Sequence, residues 1–144
     1  MNKIASYLGL ARKAGFLQVG EEATGFTARS GKARLILVAS DASDNASRRA
    51  AGFHQTAGSF LLRLPLAKYE LSAALGKNGC SMMAVTDSGF AYKLAQEIYE
   101  MSPHEDTEKV RDSLKAKHDK ILRRRREANS KNGTKKVHVI SKKQ

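Results

Sequence analysis

The chain has no tryptophan, one cysteine and two prolines, and it contains no apolar run near the roughly 20 residues needed to span a bilayer. Each scarcity excludes something. A lone Cys80 cannot form an internal disulfide, so the core must hold by packing, and the reading is a core or loop cysteine in a reducing compartment. The four histidines, His54, His104, His118 and His138, have no metal-ligand spacing, and with one cysteine no zinc site is expected. Glycine-rich phosphate loops and the nucleophile-elbow pattern are missing, so neither a cofactor nor a covalent catalyst is indicated. The amino terminus carries Lys3, Arg12 and Lys13 without an acid, a transit-peptide composition, but its apolar residues fit a packed first helix better. The expectation is a cytoplasmic monomer with no membrane partner.

What the chain has in excess is positive charge. Its 144 residues carry a formal net charge of +12, and the excess is uneven. Residues 1 to 101 hold 12 Lys and Arg against 8 Asp and Glu, a net of +4, while residues 102 to 144 hold 14 against 6, a net of +8. This divides the chain into a body, 1–101, and a basic helical or disordered tail, 102–144. Such a tail favours polyanions through counterion release, with nucleic acid ahead of anionic membrane.

Within the body, helical and extended patterns alternate. Ile4, Leu8 and Ala11 recur at helical spacing after Asn2, a capping residue, and Gly15 closes that helix. A short strand, 16–19, ends at Gly20, and Glu21-Glu22 opens a second helix whose interior Gly25 suggests a close approach. Leu35 to Ala39 is an unbroken branched apolar run, the mark of a strand buried on both faces, and Ser40 to Asp44 stops it. A helix from Ser43 to about Thr56, a strand at 59–64, a helix at 68–75, a strand at 80–85 and a helix at 89–101 follow. The predicted fold is α/β: a three-layer α/β/α sandwich around a four-stranded, mostly parallel or mixed sheet, plus the basic C-terminal tail.

In the tail, Val110, Leu114 and Ile121 make a thin apolar stripe, too little to hold a helix firmly to the body. Arg123, Arg124, Arg125 and Arg126 advance about 100° each on a helix and encircle it, an arrangement suited to phosphates. Ser130 to Gln144 shows no period and is expected to be disordered alone. Asp41 and Asp87 each follow a strand. They are read as helix caps, with a paired-carboxylate site as the enzymatic alternative and a sequence-blind polyanion-binding module as another.

Four segments in register, GLARKAGFLQVGEEATG, RSGKARLILVASDAS, KYELSAALG and MMAVTDSGFA, resemble the ribosomal protein family of the archaeal and eukaryotic L-seven-Ae type, especially its small bacterial ribosome-associated relatives. The resemblance covers about residues 3 to 101. It implies a non-enzymatic RNA-binding protein, a partner that is structured RNA such as ribosomal RNA or a kink-turn, and no cofactor. The family binds through the first strand to second helix junction, here Gly20 with Glu21 and Glu22, and through the loop before the last strand, here Gly76 to Ser81, in which Lys77, Gly79, Cys80 and Ser81 are the candidate contacts. Lys13 and the arginines 123–126 complete the candidate RNA contacts. Where kink-turn binders often carry Asn or Lys, then Glu or Gln, and a Lys or Arg three residues later, this chain has Glu22, Ala23 and Phe26. Gly79-Cys80 stands where a Val-Gly pair is frequent.

Overall fold

The computed structural model describes residues 2–78 and 80–143, with side chains as far as Ser130. The elements in order are α1 (Lys3–Lys13), β1 (Leu17–Val19), α2 (Glu21–Arg29), β2 (Leu35–Val38), α3 (Asp44–Ala57), β3 (Phe60–Arg63), α4 (Lys68–Leu75), β4 (Met82–Val85), α5 (Ser88–Met101) and α6 (Glu105–Lys143). Helix starts follow local chemistry. Asn2 Oδ1 accepts the Ile4 N–H at 2.8 Å, Ser43 Oγ accepts that of Ala46 at 3.1 Å, and Asp87 Oδ2 accepts that of Phe90 at 2.9 Å.

The sheet order is β1-β4-β2-β3. β2 and β3 are parallel, but β4 runs antiparallel to both β1 and β2, so the sheet is mixed, with antiparallel pairs in the majority. Val38 stands opposite Met82 and Leu35 opposite Val85. This register overturns the idea that Asp41 and Asp87 share an edge. Antiparallel neighbours end at opposite ends of the sheet, so the two carboxylates are separated by the full strand length. Each is also engaged: Asp87 caps α5, and Asp41 Oδ1 accepts the Lys68 N–H at 2.9 Å, supporting α4 rather than the helix that follows it in sequence.

β2 reads as continuous apolar residues because it has two buried faces. Leu35 and Leu37 pack with Ile4, Leu8, Leu71, Leu94 and Ile98 beneath α1, α4 and α5. Ile36 and Val38 point the other way, with Met82 and Ala84, against Ala28, Ala46 and Ala50 of α2 and α3. The second layer is built from small residues, and α2 lies close to α3. A Cβ on Gly25 would fall 2.8 Å from Phe53 Cζ, which is the close approach the sequence suggested.

α6 departs most from expectation. Its first half lies along α5, where Leu114 is 3% exposed and Val110 packs against the core. Polar contacts supplement the thin stripe. Ser88 Oγ and His118 Nδ1 share a hydrogen bond of 2.8 Å, Tyr92 stacks on the His118 ring, Lys117 Nζ sits 4.9 Å from the centre of the Phe60 ring, and the Arg111 guanidinium lies 4.3 Å from that of Tyr99. The hydrogen bond to Asp112 raises the Arg111 pKa from its ordinary value. The helix then continues past Ser130 to Lys143, a stretch the sequence left without a period.

Candidate nucleic-acid interface

Gly20 is the hinge of the site. Its φ of 105° is open to glycine and strained for other residues, and it turns the chain from β1 directly into α2. Its N–H donates to Met82 O at 2.9 Å, tying the turn to β4, and its carbonyl accepts from both Thr24 N–H and Thr24 Oγ1. With no side-chain cap on α2, the first-turn N–H groups point outward at the positive end of the helix dipole.

β4 brings the second segment alongside. Because β1 pairs with β4, the loop that precedes β4 lies beside the β1–α2 turn, and Lys77 Nζ reaches across to Val19 O at 3.4 Å. Together they border an open groove of about 1040 Å³ whose walls include Gly20, Glu21, Glu22, Lys77 and Ser81. Five of the sequence-predicted residues thus converge although they are nearly 60 positions apart.

The others fall elsewhere. Lys13 ends α1 and lines a separate 710 Å³ cavity between α1 and α4 with Leu10 and Leu75. Cys80 is 1% exposed and its thiol donates to Lys77 O at 3.0 Å, so it shapes the loop from inside. Gly79 lies outside the described residues. Arg123, Arg124, Arg125 and Arg126 are all exposed on α6 beyond the half-buried Ile121 and Leu122. Glu21 and Glu22 part company: Glu21 forms an ion pair with Arg49 of α3, whereas Glu22 has no ion pair among the described residues.

Among the groove residues that sequence reasoning missed are Gln18, Arg29 and Lys32, whereas Asn78 belongs to the loop the resemblance already pointed to. Arg29 ends α2 about two turns from Glu22, so helical phase would have placed it on the same side, and Lys32 follows just past the helix end. Phe26 was noted only as the loss of a base, yet it stands 69% exposed on the groove wall. No group of three or more His, Cys, Asp or Glu suited to a metal occurs among the described residues, and none of their helices is long and apolar enough to cross a membrane.

Fold and groove together define an α/β/α sandwich that presents an open cleft of mixed apolar and charged lining between a helix start and a strand-entry loop. The chain is 34% identical over 91 residues to the RNA-binding protein YlxQ of Bacillus subtilis, a match covering 60% of this chain and 86% of that protein. It belongs to that protein's family. A solved Bacillus halodurans protein of unknown function superposes with a TM-score of 0.62 at 28% identity, covering 68% of this chain and 98% of the other. No family model matches the chain.

Proposed function

We propose that this protein binds structured RNA without catalysing a reaction, as a ribosome-associated member of the L-seven-Ae group in the cytoplasm, acting as a monomer. The observation that carries the reading is the convergence of the Gly20 turn and the loop before β4 on one groove. A relative named for RNA binding supports it. The groove would read shape and unpaired bases, while arginines 123–126 would supply phosphate affinity. The body, 1–101, and the basic tail, 102–144, would then divide the labour, with the docked half of α6 fixing where the arginines start.

Neutralising the four arginines to glutamine tests the division. Because they ring the helix, about half can face one RNA, so the salt dependence of binding should fall by about two phosphate contacts while preference among RNAs is kept. Binding to a kink-turn helix and to the same helix with its bulge closed supplies that preference. Loss of preference with an unchanged salt slope would reverse the assignment. Crosslinking to cellular RNA and sequencing the attached fragments would name the RNA; recovery of no RNA above background would refute the reading.

A further inference from the structure

Five large apolar side chains stand exposed among the described residues: Leu10, Phe16, Phe26, Tyr69 and Met101. Phe26 alone of these lines the groove. Phe16 has a neighbour in Phe90, at 5.9 Å between ring centres, whereas Phe26 has no ring or cation stacked on it among the described residues. Its position is fixed by the helix. Thr24, Gly25, Thr27 and Ala28 are buried on the faces of α2 that meet β4 and α3, which leaves residue 26 facing outward. Glu22 lies one turn before it on α2 and Arg29 about one turn after it, both exposed, with Lys77 and Asn78 also lining the groove.

An isolated aromatic face amid cations and hydrogen-bonding groups is the arrangement that accepts a nucleobase. Every base has a flat π-face, and stacking on an aromatic ring needs no sequence. A phosphate on either side of the stacked base would meet Arg29, Lys32 or Lys77. We infer that Phe26 is a stacking platform for an unpaired, unstacked base, so that the groove prefers single-stranded or bulged RNA over continuous duplex. The inference rests on the RNA-binding reading and adds the class of nucleotide to it.

The 144-residue protein lends itself to a fluorescence probe, since it has no tryptophan. Phe26→Trp introduces one indole at the site, and the exposed position leaves the core untouched. Short oligoadenylate should quench its emission on saturation, while a duplex RNA bound to the same extent should not. Phe26→Leu keeps apolar character without a π-face; it should weaken oligoadenylate binding on the order of tenfold and leave duplex affinity and salt slope unchanged. Unchanged emission at saturation, or equal quenching by duplex, overturns the assignment. So does a Phe26→Leu protein that binds both RNAs like wild type, which would turn the ring over to a protein partner. If the wild-type protein binds neither RNA at low salt, the RNA-binding reading itself fails.

Discussion

Replacing Gly25 with alanine separates two physical effects of opposite sign. By helix propensity alone Gly25→Ala should stabilise α2, since glycine in a helix interior costs about 1 kcal/mol against alanine. The structure argues the reverse. The new Cβ would lie 2.8 Å from Phe53 Cζ and 3.0 Å from Phe53 Cε1, inside any real carbon contact, and also 3.0 Å from an Arg29 nitrogen. Arg29 is exposed and can swing away. Phe53 is half-buried against the small-residue layer of α2 and α3, so its ring must turn out of the packing or the helices must part to make room. Overpacking of this kind costs about 1–3 kcal/mol, so the net change should be a loss of about 0–2 kcal/mol, a fall in Tm of up to about 6 °C for a chain of this size. Phe53→Leu removes the obstructing atoms. In that background Gly25→Ala should become stabilising by its propensity alone, giving a coupling of about 1–3 kcal/mol in a double-mutant cycle measured by urea unfolding. A Gly25→Ala protein more stable than wild type, with no coupling to residue 53, would show that the α2–α3 contact is not close and refute the account.

The caps make a second case. Asp41→Ala and Asp87→Ala should each cost about 0.5–2 kcal/mol by exposing N–H groups of α4 and α5, and their effects should add within about 0.5 kcal/mol because they sit at opposite ends of the sheet; strong coupling would contradict the antiparallel register. Leu114→Ala should cost about 2 kcal/mol, the low end for a buried leucine beside a surface helix, and should speed hydrogen exchange at 105–122 while leaving β2 and β4 protected. Unchanged exchange there would mean that α6 is held by its polar contacts alone.

The sequence made some of this plain and hid the rest for physical reasons. Capping residues and apolar periods are local, and α4 falls on 68–75 as read, with Asn2, Ser43 and Asp87 at helix starts as their side-chain oxygens suggest. The run from Leu35 declared two buried faces but could not declare a direction. Strand direction depends on β4, more than 40 residues later, and with it went the supposed pairing of Asp41 with Asp87. The two groove segments were legible through resemblance to a family, whereas the Glu21 to Arg49 ion pair depends on a contact between helices. α6 hid its docking because half of what holds it is polar: His118 on Ser88 and Lys117 over Phe60 leave no trace in a hydrophobic period.

The strand order has a consequence for how the protein comes into being. β4 is the last strand to be synthesised, yet it occupies an interior position and joins β1 to β2. Until residues 82–85 have left the ribosome, β1 has no partner and Gly20 has no Met82 carbonyl to hold its turn. A nascent chain that has emerged only as far as residue 80 can therefore form only the β2–β3 pair among these strands, with the helices around it, and it must keep its apolar strands apart meanwhile. Insertion of β4 closes the sheet and brings both walls of the groove together in the same step. An incomplete chain should thus lack the groove altogether, and the candidate interface arises only in molecules that have completed their sheet.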